Sequence, residues 1–370
     1  MEDNRIIQLE RLGQSIWLDY IQRDFIDSGE LRKFIAIYRL RGITSNPAIF
    51  EKAILSSDVY NESIQTMLKL GKDPIFIYEA LSQSDVQRAA DEFRSVYDKT
   101  DGNDGYVSLE VNPHLAFDAE ETIKEARRLW AAVNRQNILI KIPATSEGLP
   151  AIRQLISEGI NINVTLIFGI ERYLQVVNEY IAGIKARIDN KESVNNVISV
   201  ASFFLSRIDT LVDPMLEKII DNRGELGGLA QNAYGQVAIA SAKTAYQKYK
   251  NIFESDKFYE LTKAGARVQR LLWASTAVKN SKFNELKYVE SLIGRDTVNT
   301  LPLETFEAYC VHGKPKRTIE DGAAEVAEML RSLPALGVDI DEVARQLELE
   351  GVKKFTEPFD KLLSTIDRRA

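Results

Sequence analysis

The sequence predicts an α/β fold, a single (β/α)8 barrel with additional N- and C-terminal helices. Three observations lead there: eight short strand-like runs recur along the chain, longer helical patterns separate them, and the usual phosphate loops of nucleotide-binding sheets are missing. Repeated β-α units favour a parallel sheet, and eight of them favour closure. An open doubly wound sheet is the alternative architecture. Against it, no GxGxxG follows a strand and no GxxxxGK precedes a Ser or Thr.

The runs fall at 16–19, 42–45, 107–111, 138–143, 160–165, 197–202, 271–274 and 298–301. The fourth, ILIKIP, shows the reasoning most clearly. Its apolar residues are mostly β-branched, the pattern of a strand buried on both faces, yet Lys141 interrupts it. Between the strands, AEETIKEARRLWAAVN (119–134) sets Ile123, Ala126, Leu129 and Trp130 at helical spacing. ERYLQVVNEYIAGIKARI (171–188) repeats that spacing. The polar stretches 99–105, 189–196 and 221–228 read as surface turns. From about Thr318 onward the chain is charged and helix-like, a C-terminal extension whose apolar positions suggest amphipathic helices packed back on the body. No stretch looks like a domain linker, so residues 1–370 are expected to form one barrel domain.

Composition narrows the class. With 45% hydrophobic and 27% charged residues, the 370-residue chain has the balance of a globular protein with a large core. A formal net charge of −7 argues against a nucleic-acid coat and an anionic membrane surface. The single cysteine, Cys310, excludes an internal disulfide framework and a multi-cysteine zinc site. It fits a reducing compartment, and the charged N-terminal stretch is no secretory signal, so a cytoplasmic location is expected. No run approaches the length of a membrane span. A monomer and a homodimer both remain open.

In such a barrel the chemistry sits at the C-terminal ends of the strands. The residues there are unusually polar: Asp19, Asn46 just after the second run, Glu110, Lys141, Asn163 with Thr165, and Ser202, with Arg207 about a turn later. A partly desolvated lysine among carboxylates and hydroxyls is what a Schiff-base enzyme needs. The neutral amine attacks a ketone, and the resulting iminium takes up the electrons of a neighbouring carbon–carbon bond as it breaks. Acid and base groups must dehydrate the carbinolamine and move the alcohol proton, and Glu110 and Asp19 are the available carboxylates. Each residue also has a plainer reading: Lys141 as half of an ion pair, Asp19 as a cap, Asn46 before Pro47 as a turn former, Phe203 and Phe204 as core. His114 and His312 read as loop residues, and no metal-spacing cluster occurs.

GITSNP (42–47), VSLEVNP (107–113), NILIKIPAT with EG (137–148), GININVTLIF (159–168) and VASFFLSRID (200–209) resemble, in order, the signature segments of transaldolase. WASTAVKN (273–280) and DTVNTLP (296–302) resemble the long-chain bacterial branch of that family, within the class I aldolase superfamily. The resemblance implies a Schiff base on Lys141 and transfer of a dihydroxyacetone unit from sedoheptulose 7-phosphate to glyceraldehyde 3-phosphate. The products are erythrose 4-phosphate and fructose 6-phosphate, in the non-oxidative pentose phosphate pathway, with no metal and no organic cofactor. It assigns Glu110 and Thr165 to a proton-shuttling water, Asp19 to the C4 hydroxyl proton, Asn46 and Asn163 to the dihydroxyacetone hydroxyls with Ser202 near C1, and Arg207 to the phosphate. Phe204 joins the substrate-binding set, and Lys279 is the expected stand-in for a second phosphate arginine, supplying charge but no planar fork. Pro143 departs from the small residue many relatives carry. Two alternatives are a fructose 6-phosphate aldolase, whose group carries Gln and Tyr at the positions of Glu110 and Phe204, and a non-catalytic barrel that binds sugar phosphates.

Overall fold

Eight strands pair in sequence order, all parallel, and the last pairs with the first to close a (β/α)8 TIM barrel in the computed structural model, which describes residues 4–221 and 224–369. They are β1 (Gln14–Asp19), β2 (Gly42–Thr44), β3 (Tyr106–Glu110), β4 (Ile138–Pro143), β5 (Ile162–Ile167), β6 (Ser199–Phe204), β7 (Arg270–Ala274) and β8 (Thr297–Leu301). All are buried on both faces apart from the partly exposed Asp19, because helices cover the outside and side chains fill the lumen. Alternation along β1 puts Ser15, Trp17 and Asp19 on the lumen side. Gly42 is glycine because the Trp17 ring fills the space beside it: a Cβ there would stand 2.7 Å from the indole and from the Tyr106 carbonyl.

The lumen floor is polar and closed. Arg270 and Asp104, both buried, pair at 2.9 Å, while Asp104 also accepts from Ser15 Oγ at 2.7 Å and from Trp17 Nε1 at 3.3 Å. Arg270 Nη1 in turn donates to Ser15 Oγ at 2.9 Å. Every charge in this plug has a partner, the condition under which buried ions are tolerated.

β4 matches its expected run, β2, β7 and β8 differ by one residue at one end, and β3 by one residue at each end. β1 starts two residues earlier, at Gln14, and two strands are displaced by two residues at both ends. The fifth starts and ends later, Ile162–Ile167 rather than 160–165, because Leu166 adopts a φ of 61° and shifts the register to β6 between Val164 and Ile167. The sixth runs Ser199–Phe204 rather than 197–202. Asn161 explains its start: its Oδ1 accepts from Ile198 N at 2.8 Å, occupying that backbone group before the ladder begins.

The helix expected at 119–134 spans Ala119–Val133, capped by Asp118 and ended by Asn134 at φ 47°. The second spans Ile170–Asp189. The turn expected at 221–228 is a turn only in part: Glu225–Ala233 is helical, and Asn222 and Arg223 lie outside the described residues. His312 ends the helix Leu303–His312 instead of lying in a loop, and His114 sits in the short 3-10 turn Pro113–Leu115.

The C-terminal segment forms the helix Ala323–Ser332 and the long helix Ile340–Asp367. The second buries Val343, Leu347, Gly351, Phe355, Phe359, Leu362 and Ile366, an apolar stripe at helical spacing that lies against the barrel mouth. Gly351 lets it approach closely, since a Cβ there would meet Leu166 Cδ2 at 2.9 Å. Among the described residues, no helix is long and apolar enough to cross a membrane.

Candidate active site

Lys141 enters the lumen from β4, only 4% exposed, with Glu110 directly opposite it on β3. Its Nζ donates to the Ser45 carbonyl at 2.9 Å and lies 3.2 Å from Glu110 Oε2. Neither Glu110 oxygen has an aligned hydrogen-bond donor, so the contact is an ion pair rather than a directed hydrogen bond. Burial pushes the Glu110 carboxyl up to about 7; the Lys141 charge opposes that rise and Asp19 adds to it.

Asp19 stands at the end of β1, also pushed above the ordinary carboxylate range by burial, against the pull of Lys141, of Thr44 and of Arg207. Thr44 Oγ1 donates to Asp19 Oδ1 at 2.7 Å and lies 2.6 Å from Thr300 Oγ1. The two strands that flank β1 thus brace this carboxylate, β2 directly through Thr44 and β8 through the Thr300 contact to Thr44. On the other side of the lumen, Ser202 Oγ donates to Asn163 Oδ1 at 2.6 Å and Asn163 Nδ2 donates to Ser108 Oγ at 3.1 Å. That chain fixes the orientation of the Asn163 amide.

These groups surround a cavity of about 90 Å³ lined by Asp19, Thr44, Asn46, Lys141, Thr165, Ser202, Phe204 and Arg207, and closed by Ser275, Thr300 and Phe355. Thr165 Oγ1 and Arg207 Nη1 are buried without a hydrogen-bond partner. Asn46 is both cap and wall: its Oδ1 accepts from Ile49 N at 3.0 Å at the start of the helix Pro47–Ser56 while its side chain faces the cavity. Arg207 lies in the first turn of the helix Ser206–Ile220, where the helix dipole favours anions. Its guanidinium stands over the Phe204 ring at 5.4 Å, and desolvation lowers its pKa while Glu350, Asp19 and Glu110 hold it up.

The structure therefore gathers nine of the ten expected residues, with Glu110 and Asn163 just behind the cavity wall and seven others in it. Lys279 is the exception. It lines a separate pocket of about 290 Å³ with Asp209, Asp213 and Glu217, carboxylates that repel a phosphate. The reason is local: after β7 the chain turns at Ser275, whose φ of 55° redirects it, and Ser275 Oγ instead reaches Ser206 Oγ at 2.8 Å. Thr44 and Thr300 were detectable as polar residues at strand ends, as Asp19 was. Phe355 carries no such signal, since it looks like any apolar residue of an amphipathic helix. Among the described residues, no group of three or more His, Cys, Asp or Glu could hold a metal ion.

The sequence matches known proteins over its whole length. The profile of the Transaldolase/Fructose-6-phosphate aldolase family covers residues 16–366. A protein named Transaldolase from Trichodesmium erythraeum is 45% identical over 100% of this chain and 98% of its own. Transaldolase 2 of Nostoc punctiforme is 42% identical over 99% of this chain and 98% of its own, and a Transaldolase from Frankia alni is 43% identical over 98% and 96%. Aligned from end to end with such relatives, and built as a barrel around a buried lysine, the chain belongs to the transaldolase/fructose-6-phosphate aldolase family.

Proposed function

We propose that this protein is a transaldolase that carries a dihydroxyacetone unit as a Schiff base on Lys141, from sedoheptulose 7-phosphate to glyceraldehyde 3-phosphate. One observation carries the reading: the Lys141 amine is buried at the cavity wall within 3.2 Å of a carboxyl that titrates near neutrality. Such a pair can both form the carbinolamine and protonate its departing hydroxyl.

The donor ketone condenses with Lys141 Nζ, and Glu110 gives a proton to the leaving water, with the Thr165 hydroxyl available to hold that water. Asp19 then accepts the proton of the C4 hydroxyl as the C3–C4 bond breaks, and the iminium takes up the bonding electrons to become an enamine. Thr44 holds Asp19 in place for this step. The acceptor aldehyde enters, the new carbon–carbon bond forms, and Asp19 returns its proton to the nascent alkoxide. Asn46, Asn163 and Ser202 hold the hydroxyls of the three-carbon unit. Arg207, with an unpartnered Nη1 and a helix N-terminus behind it, binds the phosphate.

Glu110 and Phe204 favour transfer over release of free dihydroxyacetone, because the aldolase group carries Gln and Tyr there. The single Cys310 and the sugar-phosphate substrates support a cytoplasmic location in the non-oxidative pentose phosphate pathway.

Borohydride reduction in the presence of fructose 6-phosphate tests the reading. Peptide mass spectrometry should find the adduct on Lys141 and none in Lys141→Ala. A folded protein that yields no adduct would instead be a barrel that binds sugar phosphates without turning them over.

A further inference from the structure

The long C-terminal helix does more than cover apolar surface. At the register of Gly351 it comes against Leu166, the positive-φ residue that follows Thr165 in β5. One turn on, on the same face, Phe355 reaches the cavity and sets its ring 5.5 Å from Lys141 Nζ. Phe355 is itself buried. Further along, Phe359 packs edge-on against Tyr78 at 5.2 Å, and the Arg172–Glu348 ion pair at 3.0 Å and the His114–Asp360 side-chain contact at 2.7 Å tie the helix down on either side of Phe355. A mid-helix glycine costs helix stability, so the close approach it permits is a feature of how the ring is delivered.

Resting on the transaldolase reading, we propose that Phe355 is a specificity-determining residue that sets how the Lys141 enamine divides between transfer to an aldehyde and loss as free dihydroxyacetone. The two fates differ in what reaches the enamine carbon. In transfer, that carbon forms a bond to the acceptor carbonyl, whose oxygen takes the Asp19 proton. In loss, it takes a proton instead, and water then hydrolyses the C=N bond. Net, the enamine and one water become the ketone and the free amine.

Phe355 acts on both fates. Its face stands over the nitrogen that becomes cationic in the iminium, an electrostatic attraction that an aliphatic side chain does not supply. Its bulk closes the cavity on the side of the C-terminal helix, where only a mobile or smaller side chain would admit water. Asp19 and Arg207 face the same space from the barrel, with Glu110 behind Lys141, so the ring is the apolar wall opposite a polar set. Arg207, and not the ring, carries the charge that would meet the phosphate, so Phe355 should shift partition more than donor affinity.

The test uses the full chain with Phe355→Leu, which keeps an apolar side chain of similar bulk, and Phe355→Ala, which opens the cavity. Each is incubated with fructose 6-phosphate and erythrose 4-phosphate, and released dihydroxyacetone is measured against sedoheptulose 7-phosphate formed in the same sample. That ratio does not depend on how much of the protein is folded. The expected result is a release-to-transfer ratio about tenfold above the parent in both variants, with the Lys141 borohydride adduct retained. An adduct retained with a ratio unchanged in Phe355→Leu overturns the proposal, because a ring that merely packs the helix changes stability and not partition. Absence of the adduct in the parent protein overturns the transaldolase reading itself, which the partition ratio then cannot rescue.

Discussion

Glu110→Gln separates the charge of this residue from its proton. Moving the carboxyl midpoint from 4.5 to about 7 favours the neutral acid by about 3 kcal/mol. At pH 7 about half of the Glu110 side chains then carry a proton, against about 0.3% for an ordinary glutamate. Burial has thus raised the supply of acid roughly 150-fold at the pH where the reaction must run. In the proposed mechanism loss of the carbinolamine hydroxyl needs that acid, so the rate of imine formation should fall as pH rises through about 7. The assay is rapid-quench borohydride trapping of single turnovers between pH 5 and 9, in parent and variant. Glu110→Gln should be slower on the order of 10²-fold and should lose the limb near neutrality. Persistence of that limb in the variant, or a parent limb near 4.5, would refute the assignment. Stability follows the same titration with a definite sign. The folded carboxyl holds its proton more tightly than the unfolded one, so its contribution is fully present below about 4.5 and lost as pH rises through about 7. Urea midpoints of the variant should lack that step.

The other site residues give sharper contrasts than a loss of activity. Phe204→Tyr places a hydroxyl beside the reacting centre and should raise dihydroxyacetone release from fructose 6-phosphate; no gain in release counts against a water-excluding role for this ring. Arg207→Lys keeps the charge and loses the planar fork, so KM for phosphorylated donors should rise about tenfold while kcat changes far less. A kcat loss with constant KM would instead place Arg207 at the bond-making step.

Much of this arrangement could be read in the chain because parallel barrel strands are buried on both faces. A polar residue inside such a strand stands out against its neighbours, as Lys141 does between Ile140 and Ile142, and the strand end tells which side of the barrel it faces. The strand limits at 160–165 and 197–202 were less legible, since they depend on the Leu166 bulge and on the Asn161 side chain bridging to Ile198. Lys279 was misplaced for a related reason: spacing along a segment says nothing of the turn at Ser275. Phe355 stayed hidden because its partner Lys141 belongs to a distant element. Amphipathic spacing shows which face of the C-terminal helix is buried and is silent about what lies beneath it.

The order of synthesis gives the C-terminal helix one more consequence. All eight strands leave the ribosome before Phe355 does, so the barrel and Lys141 can assemble first, and the wall that shields the amine arrives later. A nascent chain therefore has the proposed nucleophile in place while the pocket is still open to metabolites. On that reading, unproductive imines formed in the interval hydrolyse, and the sheltered chemistry begins only as this helix docks.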